Sequence, residues 1–223
     1  MVDTLPRDDI YLYESGFEDE GGQLVEFHLI YRGRLPSAGR NNTRVDDKQR
    51  IRLEFHKQLK VLWNDHRALR GFETQPIPLA GGAIRTMADI WADRYDRCSM
   101  RFLPLVSNYL GLACSLDILF LRRDNPGGFI VSGGDIDNRL KVLFDALRMP
   151  ENCEQIPKGW APSEDERPLY CLLEDDSLIH KVTVRTDALL LPLQEGESQN
   201  DVVLIVHVAT KIVNHDVAHV ELG

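Results

Sequence analysis

The chain has 223 residues, a mass of 25.4 kDa and a formal net charge of −9. Its hydrophobic content of 43% excludes a disordered chain, and its length suits one domain with a substantial core. No stretch approaches the roughly 18 consecutive apolar residues of a membrane helix, and the N-terminus lacks the basic-then-apolar order of a secretion signal. We therefore expect a cytoplasmic protein with no membrane partner.

The four cysteines stand at positions 98, 114, 153 and 171, without a Cys-x-x-Cys pair or the spacing of metal ligands. Isolated cysteines of this kind are typical of buried thiols in a cytoplasmic protein. The sequence thus predicts that the thiols are reduced.

The charge is unevenly distributed along the chain. Residues 1–31 carry eight acids and one base, whereas residues 32–70 carry eleven bases and four acids. A segregated basic segment can present a positive patch to a nucleic acid even on an acidic protein. A solvated basic helix face is the alternative interpretation, and the charge alone does not decide between the two.

The first half of the chain shows one clear helical pattern, with apolar residues at 51, 55, 59 and 62. Strand composition and turn residues indicate the other elements. In chain order the sequence predicts an acidic arm (1–22), a strand (23–31), a loop (32–43), a helix (46–69) and a second loop (71–82).

The second half begins with an ambiguous segment, 83–108, which contains a candidate short helix. A helical stripe of Leu140, Leu143, Phe144 and Leu147 is the clearest pattern of the sequence. The predicted elements here are a central strand (110–121), a turn (124–128), a helix (138–147), an irregular loop (149–169) and two strands (177–191 and 202–213). This order predicts an α+β fold, a mixed β-sheet with helices packed on one face.

Two carboxylates, Asp135 and Asp137, lie where the chain enters the predicted helix 138–147. In an extended segment such side chains project to the same side, and Asp137 is placed as the helix N-cap. Lys141 lies one turn further along the same face. If the strand that follows Asp176 starts beside this helix terminus, a third carboxylate joins the pair.

Clustered carboxylates repel one another unless a cation neutralises them, and their oxygen atoms suit Mg²⁺, with Mn²⁺ as the alternative. A lysine beside such an ion can stabilise developing negative charge or orient the attacking water. This chemistry fits metal-assisted hydrolysis of a phosphodiester. An ordinary N-cap at Asp137 and an acidic surface turn at 174–176 are the alternatives.

These motifs resemble the RusA family of Holliday-junction resolvases. The family has Asp-x-Asp-Asn-x-x-Lys, then a helix that ends in Asp-Ala-Leu, then an Asp-Asp pair before a strand. The chain has the three motifs at 135–141, 145–147 and 175–176. Its loop with Leu35-Pro36-Ser37 and Asn41-Asn42 is similar to a Pro-Ser-Asn-Asn loop near the family's N-terminus.

The resemblance implies a homodimeric, Mg²⁺-dependent endonuclease that nicks four-way DNA junctions symmetrically. On this resemblance the chain divides into an acidic arm (1–22) and a RusA-like nuclease domain (23–223) with insertions at about 71–108 and 149–173. The arm and the insertions depart from the family pattern. The implied site residues are the metal ligands Asp135, Asp137 and Asp176, the accessory acid Asp175 and the catalytic Lys141. Charge, loop position and the helix start predict the DNA contacts, which are Arg40, Asn41, Asn42, Arg44, Lys48, Arg52, Asn138 and Arg139.

Two other hypotheses stay open. The acidic balance and the segment 149–173 beside the site favour a diverged, non-catalytic DNA-binding protein of the same fold. The complete set of acids and lysine weighs against that hypothesis, because a non-catalytic descendant need not keep all four. A nuclease for other branched DNA is the third hypothesis, and it has the same metal chemistry.

Overall fold

The computed structural model describes residues 23–38, 44–79, 81–123, 135–198 and 200–213, with the backbone only at 23, 24 and 135. The predicted arm over 1–22 lies outside the described residues. No described helix has the length and apolar character needed to span a membrane. The elements are β1 (Gln23–Arg34), α1 (Val45–Asp65), α2 (Arg70–Thr74), β2 (Pro76–Pro78), β3 (Ile84–Thr86), α3 (Met87–Arg94), β4 (Asp96–Arg97), β5 (Met100–Val106), β6 (Leu112–Arg122), α4 (Asp135–Leu147), β7 (Leu169–Leu173), β8 (Ile179–Ala188) and β9 (Asp201–Ile212).

The main sheet has four strands in the order β1-β9-β6-β8. β9 is antiparallel to both β1 and β6, whereas β8 is parallel to β6, so the sheet is mixed. Alternate residues of the inner strands, such as Ile118 of β6 and Val206 of β9, are fully buried. They share one core with Phe55 of α1 and Leu143 of α4. This period-two burial is typical of a sheet covered on one face, and the predicted α+β class is confirmed.

A second sheet of three strands, β4-β5-β7, was not expected from the sequence. β5 and β7 are parallel, with Phe102 opposite Leu169 and Val106 opposite Leu173, and every residue of β7 is buried. A fully buried strand shows no alternation, and Pro104 argues against a strand in β5, so neither strand had a sequence signal. The predicted insertions at 71–108 and 149–173 thus contain strands that belong to the core.

The edge of the main sheet at β1 is covered by the side chain of Gln58 from α1. Its Oε1 accepts a hydrogen bond from the Ile30 amide at 2.8 Å, and its Nε2 donates to the Ile30 carbonyl at 2.7 Å. The side-chain amide therefore replaces a neighbouring strand at this position. The helix itself ends at Asp65, earlier than the predicted 69, because His66 adopts an extended conformation.

The expectation of reduced thiols is wrong for one pair of cysteines. Cys98, in the turn between β4 and β5, forms a disulfide with Cys153, in a 3₁₀ turn after α4. The two positions are 55 residues apart in sequence, and only the tertiary structure brings their Cα atoms to 5.7 Å. Cys114 and Cys171 are free and buried, as predicted.

We expect iodoacetamide, added to the unreduced and denatured protein, to label two cysteines and leave Cys98 and Cys153 unmodified. Reduction should lower the free energy of unfolding by about 2–4 kcal/mol, because a long closed loop restricts the unfolded chain. Urea denaturation with and without dithiothreitol measures the loss. A variant with serine at both positions is the control and should not respond to the reductant, and labelling of four cysteines would contradict the pairing.

Candidate functional site

The loop after β1 and the start of α4 lie against each other at one end of the main sheet. The Ala38 amide donates to the Asn138 carbonyl at 3.1 Å, and Arg139 Nη1 donates to the Leu35 carbonyl at 2.6 Å. Leu35 and Arg139 are 104 residues apart in sequence. The fold therefore brings together the Leu-Pro-Ser loop and the Asp-x-Asp-Asn-x-x-Lys segment, two of the segments in which the sequence resemblance was found.

A cleft of about 300 Å³ opens beside this contact. It receives arginines from three different parts of the chain: the end of β1, the residue before α1 and the second turn of α4. We call it the arginine cleft, and its lining residues are Arg34, Leu35, Pro36, Ser37, Arg44, Arg139 and Asn200. Two of the predicted DNA contacts, Arg44 and Arg139, are among them. Arg40, Asn41 and Asn42 lie outside the described residues.

The loop that forms the wall of the arginine cleft is held by several hydrogen bonds. The Arg34 carbonyl accepts from Arg50 Nη2 and from the Tyr31 hydroxyl, both at 2.7 Å. Burial raises the pKa of Tyr31, so the phenol stays protonated and remains a donor. Arg44 Nε donates to the Ser37 carbonyl at 3.3 Å. The cleft is thus built from fixed backbone as well as from side chains.

The acidic motif lies at the same end of the sheet. α4 begins at Asp135, two residues before Asp137, so Asp137 lies in the first turn and the N-cap prediction for it is wrong. An aspartate in a first turn is favoured by the helix dipole. Asp137 and Lys141 are both exposed, one turn apart, as the spacing predicted. Asn138 is partly buried, and its carbonyl is the acceptor described above.

The Asp175–Asp176 pair lies toward the other end of α4. The 3₁₀ turn Asp176–Leu178 leads directly into β8, whose first residue pairs with Cys114 near the start of β6. The start of α4 lies instead near the end of β6, where β1 and the loop after it are found. From Asp137 to the end of α4 the helix rises about 15 Å. The predicted convergence of Asp176 with Asp137 is therefore not observed within the described chain.

The same pair follows Leu173, which forms an isolated β-bridge with Arg148, the residue after α4. Hydrogen bonds from Ser177, and then the charge of Arg148, hold the pKa of Asp175 below its ordinary value. Burial alone would lower the pKa of Arg148, but its hydrogen bond to Asp145 and nearby carboxylates, Asp176 among them, raise it. Among the described side chains, which do not include that of Asp135, no group of three or more His, Cys, Asp or Glu is placed to hold a metal ion.

No family model, curated protein or solved structure matches the chain. A functional assignment therefore depends on the residues themselves and on where the fold places them.

Two of the predicted DNA contacts, Lys48 and Arg52, are buried, and the prediction is wrong for both. Arg52 is 1% exposed, and it donates to the carbonyls of Asp145 at 2.7 Å and Arg148 at 3.1 Å. Lys48 Nζ lies 2.8 Å from the Asp145 carboxylate. Groups enclosed in this way tie α1 to the last turn of α4 and have no surface for a phosphate. Positions 48 and 52 fall on the apolar stripe of α1 with Phe55, which was the signal for their burial.

Sequence reasoning also missed Glu197, which fixes the connection between β8 and β9. Its carboxylate contacts Arg32 Nε at 2.5 Å and Arg123 Nη2 at 2.7 Å. Hydrogen bonds that the Glu197 carboxylate accepts from Arg32 and from the Gln194 amide lower its pKa to about 2. The same connection carries Asn200 into the arginine cleft. Only the fold could reveal this residue, because its partners come from β1 and from the residue after β6.

We expect Glu197 to make the stability of the protein depend on pH in the acid range. Its pKa is lower in the folded state than its ordinary value of 4.5, so its contribution is full above that value. The contribution is lost as the pH falls from about 5 to about 2, since the carboxylate is then protonated. Urea denaturation at several pH values should show a smaller loss of stability in Glu197→Gln than in the wild type. Glu195→Gln, in the same connection, is the control and should follow the wild type.

Proposed function

We propose that the protein is a Mg²⁺-dependent endonuclease of RusA type that cuts branched DNA, and that the four-way junction is its preferred substrate. The observation that supports this most is the contact of the loop 35–38 with the start of α4, beside the arginine cleft. Acidic residues suited to a metal and basic residues suited to phosphates meet there. An anionic polymer with hydrolysable phosphodiesters is the substrate class that needs both.

The carboxylates of Asp135 and Asp137 would hold the metal ion, because carboxylate oxygens are the donors that Mg²⁺ prefers. When bound, the ion supplies Lewis-acid polarisation of a phosphoryl oxygen and a more acidic water. Lys141, exposed one turn along α4, would stabilise the negative charge that develops on the phosphate. Arg44 and Arg139 would position the DNA backbone, since phosphate contacts dominate affinity for DNA.

In the proposed site, the third carboxylate, Asp176, comes from a second copy of the chain. Within one chain it lies toward the end of α4 that is far from Asp137, on the side of Arg148. In a two-fold dimer, the start of α4 in one copy can lie beside the end of α4 in the other. This is possible because in a two-fold interface residue i of one copy contacts residue j of the other, and residue j of the first contacts residue i of the second. We therefore propose that each metal site combines Asp135 and Asp137 of one copy with Asp176 of the other. Two such sites would give the paired cuts that a symmetric junction requires.

The direct test is cleavage of a labelled, immobile four-way junction in the presence of Mg²⁺. A linear duplex of the same sequence and a sample with EDTA are the controls. Paired symmetric nicks in the junction alone are the expected result. Cutting of flaps or three-way branches in preference to four-way junctions would show that the substrate is another branched DNA. Cutting in the presence of EDTA would contradict the metal-dependent mechanism.

The second candidate is a non-catalytic protein that binds DNA through the arginine cleft. The separation of Asp176 from Asp137 within one chain favours it, because the set of three carboxylates that the resemblance implies is then incomplete within one copy. This candidate predicts a gel shift with the junction, no nicking with Mg²⁺ or Mn²⁺, and no effect of either ion on affinity.

A further inference from the structure

We infer that the arginine cleft is a phosphate-binding site. On the DNA it would bind a backbone phosphate that is different from the scissile phosphate. The identity of the ligand as DNA rests on the proposed function, whereas the binding of a phosphate group does not. The site includes Arg34, Ser37 and Asn200, which the sequence did not indicate.

The chemistry of the lining selects an oxyanion. Three arginines, Arg34, Arg44 and Arg139, line this cleft of about 300 Å³, a size that suits a phosphate with its sugar. A guanidinium presents five N–H donors in a planar fork that matches two phosphate oxygens. Bonds to the Ser37 and Leu35 carbonyls orient Arg44 and Arg139 at the cleft, and Arg44 Nη1 also lies 3.8 Å from the Asp47 carboxylate. Ser37 and Asn200 add uncharged polar residues to the lining.

The described walls of the cleft are held by contacts within the chain. One wall is held by Arg50 and Tyr31 through the Arg34 carbonyl, and by the Ala38–Asn138 backbone hydrogen bond. On the other side, the Glu197 contacts with Arg32 and Arg123 hold the connection that ends at Asn200. A preformed site loses little conformational entropy on binding, so modest contacts give measurable affinity.

The position of the cleft separates its phosphate from the one that is cut. Arg139 lies two residues after Asp137 and two before Lys141, in the same stretch of α4. Its guanidinium is turned to the Leu35 carbonyl and the cleft, whereas Asp137 and Lys141 are exposed. A phosphate in the cleft would therefore lie close to the proposed metal site without occupying it. It would fix the position of the DNA strand relative to that site.

The test measures phosphate binding with EDTA present, so that cleavage plays no part. We expect 20 mM inorganic phosphate, at constant ionic strength, to raise the Tm of the wild type by a few degrees (about 2–4 °C). Arg34→Gln and Arg139→Gln should each reduce this rise, and the double variant should abolish it. Arg185→Gln, an exposed arginine of β8 with a 67% exposed side chain, is the matched control and should keep it. Arg34→Gln carries the test alone if the change at Arg139, which supports the loop, prevents folding.

A short DNA duplex is the second arm and separates free phosphate from the nucleic-acid backbone. Arg34→Gln should weaken duplex binding about tenfold and lower the slope of log K against log salt by about one, with a smaller change for Arg185→Gln. An equal rise of Tm with phosphate in the double variant, or equal losses of DNA affinity in Arg34→Gln and Arg185→Gln, would overturn the proposal. If the wild type cuts no DNA but the variants lose phosphate binding, the phosphate site would stand and the proposed nuclease function would be wrong.

Discussion

We expect Asp137→Asn and Asp176→Asn each to abolish junction cleavage, and an equal mixture of the two inactive proteins to recover it in part. Each single change should lower the nicking rate by about 10³-fold or more, because it removes a carboxylate that the metal ion needs. In a mixed dimer, one of the two shared sites has both aspartates intact. Random reassociation makes half of the dimers mixed, so about one quarter of the sites are restored.

The measurement is the initial rate of nicking with Mg²⁺, after the two variants have been mixed, partly unfolded in urea and refolded together. Asp135→Asn should behave as Asp137→Asn does, and should also be rescued by Asp176→Asn. The pair Asp135→Asn with Asp137→Asn is the control, because both changes lie at the same end of α4 and no combination restores a site. Junction binding should persist in all variants, since the basic residues are unchanged.

Recovery in the control pair, or no recovery with Asp176→Asn, would contradict a site shared between two copies. Full activity of Asp176→Asn would remove that residue from the site and leave the two carboxylates at the start of α4. The experiment therefore decides the role of Asp176, which lies toward the end of α4 that is far from Asp137.

The second large effect concerns stability, and we expect Arg52→Ala to lower the free energy of unfolding by about 3 kcal/mol or more. Arg52 is enclosed between α1 and the end of α4, and burial lowers the pKa of its guanidinium. Its removal leaves the carbonyls of Asp145 and Arg148 without their donor in the interior. The Lys48–Asp145 ion pair beside it then borders a cavity.

Urea denaturation measures this loss. Lys57→Ala is the matched control, because Lys57 is a basic residue of the same helix with a 65% exposed side chain and should change stability by less than about 0.5 kcal/mol. The folded Arg52→Ala protein, assayed at low temperature, should bind DNA as the wild type does. A variant that loses DNA affinity without losing stability would return Arg52 to the DNA contacts.

Local patterns in the sequence predicted the elements with one regular face. The stripes through Phe55 and Leu143 predicted α1 and α4, and apolar or β-branched runs predicted β6, β8 and β9, with ends that differ by a few residues. These elements bury one side only, so the period of the burial is visible in the sequence. β5 and β7 were missed, because strands that are buried on both sides show no period.

The candidate site also has features that the sequence predicted and features that it did not. The motif from Asp135 to Lys141 is local, so its residue types and spacing were readable, and its place at a helix start followed from the apolar stripe. Whether Lys48 and Arg44 face solvent was not readable from charge, since both belong to one basic segment. Only the fold shows that Lys48 pairs with Asp145 in the interior while Arg44 lines the arginine cleft.

The sequence by itself determined the α+β class, the main helices and strands, and the spacing of Asp137 and Lys141 at one turn of a helix. The tertiary structure alone decided which distant segments meet: the loop at Leu35 with the start of α4, Cys98 with Cys153, and Asp176 with the far end of α4. The physical reason is that local patterns report which face of an element is buried. Contacts between elements depend instead on strand order and direction, which no single segment encodes.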